Sequence, residues 1–139
     1  MELNEILKLA VERGASDVHI KVGLPPVLRL NGRLIPLNNA PKLTPEETKR
    51  LAFSIMSDRQ KERFLEDNEL DMAYGVSGLG RFRVNIFTQR DSVGMVLRAI
   101  PTDPPPLEKL GLPPVVAKIA LERRGLVLVT GTTGSGKST

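Results

Sequence analysis

An apolar run that leads directly into a glycine-rich loop constrains this chain more than any other feature of its sequence. The run is GLVLVT, residues 125–130, and the loop is GTTGSGKST, residues 131–139. The loop fits the pattern G-x-x-x-x-G-K-[ST], in which successive backbone N–H groups surround the phosphates of a nucleotide. A continuous apolar strand before such a loop is typical of a parallel sheet covered on both faces. Residues 115–139 therefore predict the start of an α/β nucleotide-binding domain.

The loop residues have distinct predicted roles. Glycines allow the backbone to turn closely around the phosphates, the amine of Lys137 reaches the β and γ phosphates, and the hydroxyl of Ser138 ligates Mg²⁺. The pattern predicts a nucleotide and Mg²⁺ as cofactors. We predict nucleotide binding by the whole loop, which comprises Gly131, Thr132, Thr133, Gly134, Ser135, Gly136, Lys137, Ser138 and Thr139.

Hydrolysis needs further groups that the sequence does not contain. An acidic residue must hold Mg²⁺ and another group must orient the attacking water, yet no acidic residue follows Lys137. We therefore expect this chain alone to be inactive. We also expect residues beyond about 125 to be displaced, mobile or packed on another copy, because the strand lacks its sheet neighbours.

Residues 1–100 predict one helix, three strands, two helices and three further strands. Apolar residues recur at helical spacing in ELNEILKLAVERGAS and alternate in SDVHIKV, and Asn31-Gly32 favours a tight hairpin turn. Thr44 and Ser57 are predicted to begin two helices, each with a capping box. Strands are predicted for ELDMAYGV, RFRVNIFTQR and VGMVLRAI. Segregated helices and strands of this kind favour an α+β fold, with an antiparallel sheet covered on one face.

Composition argues against a disulfide-bonded protein and against a membrane-spanning one, and it marks a boundary between two domains. The chain has no cysteine, and no apolar run approaches the length of a membrane span. Its net charge of +4 permits polyanion binding, but the few aromatic residues argue against an RNA-recognition sheet. Prolines concentrate between residues 101 and 114, which predicts a stiff linker: Pro101, Pro104, Pro105, Pro106, Pro113 and Pro114.

Several phrases of the sequence together resemble one family. They are ASDVHI, RLNGRL, GLGRFRVNIFTQR, VLRAIP, LGLPP and GLVLVTGTTGSGKST. They are similar to sequences of the secretion ATPase superfamily, which includes the motors of type II and type IV secretion and of type IV pili. Within this superfamily they resemble the pilus-retraction branch most closely. The resemblance implies a PAS-like N-terminal domain at 1–100, a linker at 101–114 and the beginning of a RecA-like ATPase domain at 115–139.

The resemblance also implies function, partners and further site residues. It implies a homohexameric ATP hydrolase that powers twitching motility. The protein would be cytoplasmic and would lie peripherally at the inner-membrane face. Its partner would be a pilus platform protein, and it would bind no nucleic acid. Arginines of the N-terminal domain would reach the nucleotide phosphates, and the candidates are Arg81, Arg83, Arg90 and Arg98. We favour Arg98, whose strand is expected to be central. The alternative is an autonomous PAS-like scaffolding domain of a pilus-assembly or secretion ATPase, without activity of its own.

Overall fold

The computed structural model describes residues 1–101 and 106–131. Internal contacts divide the chain into two units, residues 1–102 and 103–139. The first unit contains the elements α1 (Leu3–Glu12), β1 (Asp17–Ile20), β2 (Val27–Leu30), β3 (Arg33–Pro36), α2 (Pro45–Phe53), α3 (Asp58–Asp67), β4 (Glu69–Val76), β5 (Gly80–Gln89) and β6 (Ser92–Ile100). This order is the one predicted from the sequence.

The helix starts follow the predicted capping chemistry. The hydroxyl of Thr44 accepts a hydrogen bond from the backbone N–H of Glu47, and the Glu47 carboxylate accepts one from the N–H of Thr44. Ser57 and Gln60 form the same reciprocal pair at the start of α3. These contacts satisfy N–H groups that the first turn of a helix would otherwise leave unpaired.

The apolar stripe of LTPEETKRLAFSIM, which comprises Leu51, Ala52, Ile55 and Met56, predicts a helix that continues to Met56, but α2 ends earlier. The helix stops at Phe53, and the hydroxyl of Ser54 donates to the carbonyl oxygen of Leu51 at 2.7 Å. This bond satisfies a carbonyl of the last turn, and Ser57 follows almost immediately as the cap of the next helix. Met56 is nevertheless buried, as predicted, although it lies in the connection between α2 and α3.

The six strands form one antiparallel sheet in the order β3-β2-β1-β6-β5-β4. Asn31 and Gly32 both have positive φ, which confirms the predicted tight hairpin turn. The three helices lie on one face, with α1 on β1, α2 on β6 and α3 on β4. Alternate strand residues fill the core beneath them, including Val18, Leu28, Phe82, Val84, Ile86, Met95 and Leu97. The predicted α+β class is therefore confirmed.

The second unit contains less regular structure. A short 3-10 helix spans Leu107–Leu110, and helix α4 spans Val115–Ala120. The predicted strand in GLVLVT is not formed, because the segment hydrogen-bonds to no strand among the described residues. Leu126 and Leu128 are 82% and 75% exposed. A strand needs a neighbour to satisfy its backbone N–H and C=O groups, and residues 1–101 and 106–131 supply none to this segment.

Candidate phosphate-binding site

The helices α1, α2 and α3 all pack on one face of the sheet, and we call the other face, which none of these three helices covers, the open face. A row of four charged residues crosses it, one from each of four adjacent strands. Arg83 of β5 lies directly opposite Arg98 of β6, Arg98 lies opposite Asp17 of β1, and Asp17 lies opposite Arg29 of β2. Directly opposed strand residues hold their Cβ atoms about 5 Å apart, so neighbours in this row interact.

Asp17 is the buried centre of the row, with only 5% of its surface exposed. Its Oδ1 accepts a hydrogen bond from Nε of Arg98 at 2.9 Å, and its Oδ2 lies 3.3 Å from Nε of Arg29. The hydroxyl of Ser16 also donates to Oδ2, at 2.8 Å. Burial alone would raise the pKa of Asp17, but these hydrogen bonds and the two arginine charges outweigh it and lower the pKa. The carboxylate therefore stays ionised at neutral pH.

Arg83 and Arg98 border an open cavity of about 320 Å³, lined also by Asp71, Asn85 and Val96. Both arginine side chains are 69% exposed. Arg83 has a loose ion pair with Asp71, at 3.5 Å, and Asn85 donates to carboxylates of β4. Two like charges on opposed strand positions repel each other. An anion held between the two guanidinium groups would relieve that repulsion and accept hydrogen bonds from both.

The other two candidate arginines lie elsewhere. Arg81 shares its strand face with Arg83 and borders the glycine-rich turn between β4 and β5. Arg90 was predicted to continue β5, but that strand ends at Gln89, and Arg90 and Asp91 form the turn to β6 with positive φ at both. Arg81 and Arg90 thus lie at opposite ends of β5, whose length at about 3.3 Å per residue keeps them on the order of 30 Å apart. The four candidates cannot all contact one phosphate group.

His19 also lies on the open face, between Val27 of β2 and Val96 of β6. Its Nε2 atom is buried and has no hydrogen-bond partner among the described residues. Burial and the charge of Arg29 lower the pKa of this imidazole, while Asp17 partly opposes them. Its two directly opposed strand neighbours are apolar, and the ring makes no hydrogen bond through Nε2 to any described residue.

The phosphate-binding loop falls almost wholly outside the described residues. Only Gly131 is described, and the predictions for Thr132, Thr133, Gly134, Ser135, Gly136, Lys137, Ser138 and Thr139 remain predictions. Across 1–101 and 106–131, no group of three His, Asp or Glu residues is arranged to hold a metal ion. Within the same ranges, no helix has the length and apolar character needed to cross a membrane.

Sequence reasoning missed Asp17 as a residue of this site. Strand alternation places Asp17 on the polar face of its predicted strand with His19 and Lys21 but does not predict its burial between two arginines. The contact between Asp17 and Arg98 joins residues 81 positions apart, and neither residue carries a local signal of the other. An acidic residue amid the alternating apolar residues of a short strand was the only available clue.

Comparison with known proteins agrees with this architecture. The chain matches, over residues 1–139, the family described as type II/IV secretion system protein. It is 47% identical to the type IV pilus ATPase PilU and 42% identical to the retraction ATPase PilT, both of Pseudomonas aeruginosa. These alignments cover all of this chain, but 36% of PilU and 40% of PilT.

Solved structures give the same result. The crystal structure of the pilus retraction motor PilT with bound ADP superimposes with a TM-score of 0.90 at 47% identity, over all of this chain and 40% of that one. The Legionella pneumophila ATPase DotB gives a TM-score of 0.79 at 32% identity, over 98% of this chain and 39% of that one. The chain thus spans about two fifths of these relatives. It belongs to the type II/IV secretion system protein family, within the secretion ATPase superfamily.

Proposed function

We propose that this chain is the N-terminal part of a hexameric motor that hydrolyses ATP to power type IV pilus retraction. Residues 1–100 would be its PAS-like domain, 101–114 its linker and 115–139 the beginning of its RecA-like ATPase domain. The complete phosphate-loop pattern and the match to PilT, whose structure holds ADP, support this proposal. Lys137 would bind the β and γ phosphates, and the Ser138 hydroxyl would ligate Mg²⁺.

In this motor, Arg98 and Arg83 would clamp the nucleotide phosphates from the open face. The observation that carries this part is their directly opposed position beside one cavity, with both guanidinium groups largely exposed. Guanidinium groups suit phosphate because they present several N–H donors in a planar, fixed geometry. Arg81 and Arg90 would contribute less to phosphate binding, since Arg81 lies near the start of β5 and Arg90 lies just after its end.

The remaining parts of the proposal rest on what the resemblance of the sequence to the secretion ATPase superfamily implies. A homohexamer would place nucleotide at subunit contacts, and the working partner would be a pilus platform protein at the inner membrane. The protein would act from the cytoplasmic side. We propose no nucleic-acid partner, because the open face has one partly exposed aromatic ring, Phe87, rather than a stacking platform.

Single-residue variants of the protein extended to the full length of its relatives test the proposal. Lys137→Ala should abolish ATP hydrolysis, and Arg98→Ala should weaken ATP binding about tenfold, as expected for loss of one charge-assisted hydrogen bond. Arg63→Ala is the matched control, since Arg63 also bonds a carboxylate through Nε, but on α3. Unchanged hydrolysis by Lys137→Ala would refute the motor, and unchanged ATP affinity in Arg98→Ala would refute the clamp.

A scaffolding role for the first unit is the second candidate. Residues 1–102 form a compact unit whose hydrophobic core draws on both the helices and the sheet. An interaction domain of that kind would retain its partners without nucleotide. If the full-length protein assembled and bound its partners equally well with Lys137→Ala and without ATP, the scaffolding role would be favoured over the motor.

A further inference from the structure

Only one nitrogen atom of the Arg98 guanidinium group makes a hydrogen bond to a described residue. Its Nε bonds Asp17, and in the described part of the chain its two terminal amino groups donate to no acceptor. We propose that Asp17 is a positioning residue, which fixes Arg98 so that these amino groups point to a phosphate of the bound nucleotide. This inference rests on the proposed function, and it assigns a role to a residue that does not itself touch the nucleotide.

The geometry separates Arg98 from the other arginine bound to Asp17. Arg29 also approaches the carboxylate through Nε, but its terminal Nη1 donates to the carbonyl oxygen of Gly32 at 3.1 Å. Its side chain is 35% exposed, against 69% for Arg98. Arg29 therefore bonds within the protein through both Nε and Nη1, while Arg98 bonds through Nε alone among the described residues and leaves its two terminal amino groups available to a ligand.

A buried carboxylate is well suited to this task. Free arginine side chains sample many rotamers, and a ligand that binds one must restrict it, which weakens binding. A bond from Nε to a side chain that is 7% exposed removes part of that freedom before the nucleotide arrives. Ser16 and Arg29 hold the opposite oxygen of Asp17, so the carboxylate itself has little freedom to turn.

The contrast with Arg83 supports the same conclusion. Arg83 lies beside the same cavity, but its partner Asp71 is 54% exposed and 3.5 Å away. An exposed pair at that distance restrains a side chain weakly. Of the two arginines at the cavity, only Arg98 is anchored to a buried group.

The test is a double-mutant cycle on ATP affinity in the full-length protein, with Mg²⁺ present. Asp17→Asn keeps the side-chain volume but removes the charge and one acceptor, and we expect it to weaken ATP binding about threefold to tenfold. Arg98→Ala should weaken binding by at least as much. The double variant should bind no worse than Arg98→Ala alone, because Asp17 acts only through Arg98.

Two further variants keep the result interpretable. Asp67→Asn removes a carboxylate that also bonds an arginine Nε, but on α3, and it should leave ATP affinity unchanged. Arg98→Lys leaves Asp17 intact and keeps the positive charge, but an amine cannot bond Asp17 and still present two amino groups. It should lose nearly as much affinity as Arg98→Ala. Thermal unfolding of each variant confirms that binding is measured on folded protein.

The outcomes distinguish the two proposals. If Arg98→Ala binds ATP normally, the clamp of the proposed function fails, and the role of Asp17 fails with it. If Arg98→Ala weakens binding but Asp17→Asn does not, only the positioning role is refuted. The positioning role is also refuted if Asp17→Asn weakens ATP binding as much in the Arg98→Ala background as in the wild-type protein, because Asp17 then acts independently of Arg98. An Arg98→Lys variant with normal affinity also refutes the positioning role.

Discussion

The sole histidine of the chain should make its stability depend on pH between 7.5 and 5.5. His19 has a buried Nε2 without a hydrogen-bond partner among the described residues, and burial together with the charge of Arg29 lowers its pKa from the usual value of 6.5. The folded state therefore resists protonation, while the unfolded chain accepts a proton near pH 6.5. Stability is fully present above pH 6.5 and decreases as the pH falls from 6.5 toward the lower folded pKa.

The size of the effect has an upper limit. If the folded state took up no proton at all, protonation of the unfolded chain would remove about 1.4 kcal/mol of unfolding free energy between pH 7.5 and 5.5. The true loss is smaller, because the folded ring titrates at some lower pH and Asp17 partly favours its charged form. Asp17 itself, with a lowered pKa, contributes stability that is lost only at more acidic pH.

Urea unfolding of this chain at pH 7.5, 6.5 and 5.5 measures the effect. Because the chain has one histidine, His19→Gln removes the only side chain that ordinarily titrates in this range. The wild-type chain should lose stability toward pH 5.5, and the variant should lose markedly less. Equal losses in the two proteins would show that the burial of His19 has no energetic consequence, and the reasoning would be refuted.

Three further substitutions test the fold. Thr44→Ala should lower the unfolding free energy by about 1 kcal/mol, since it removes the acceptor for the Glu47 N–H; an unchanged urea midpoint would contradict the capping role. Leu97→Ala, at a side chain with no exposed surface, should cost about 3 kcal/mol in the same assay, and a cost below 1 kcal/mol would contradict its central place in the core. Gly94→Ala would place a Cβ 2.9 Å from the ring of Phe87, so its loss of thermal stability should diminish when Phe87→Ala is added; an equal loss in both backgrounds would exclude that clash.

The local parts of the fold were predictable because their causes lie within a few residues. The caps at Thr44 and Ser57 and the turn at Asn31-Gly32 each depend on neighbours in sequence, and all are present in the structure. Strand alternation likewise predicts that Phe82, Val84 and Ile86 share one face of β5, and the structure buries all three in the core. Ends of elements were less predictable, because an arginine such as Arg90 can serve in a strand or in a turn.

The candidate site was only partly predictable, since it depends on strand register. Arg83 and Arg98 were identified singly, yet their opposition is fixed by the pairing of β5 with β6. Asp17 joins them through the pairing of β1 with β6, which no short-range pattern specifies. In the GLVLVT segment, by contrast, the local pattern predicts a strand that the structure does not form, because the described residues supply no neighbouring strand.

The pairing of β1 with β6 also determines when this domain can be completed during synthesis. These neighbours in the middle of the sheet come from opposite ends of the first unit, with Asp17 beside Arg98. The β2–β3 hairpin and the β4–β5–β6 meander can each form early from local contacts, but joining them requires closure of a long loop, which slows folding. Until residue 98 has left the ribosome, Val18 and Ile20 have no β6 to pair with, and their strand edge stays exposed to other chains.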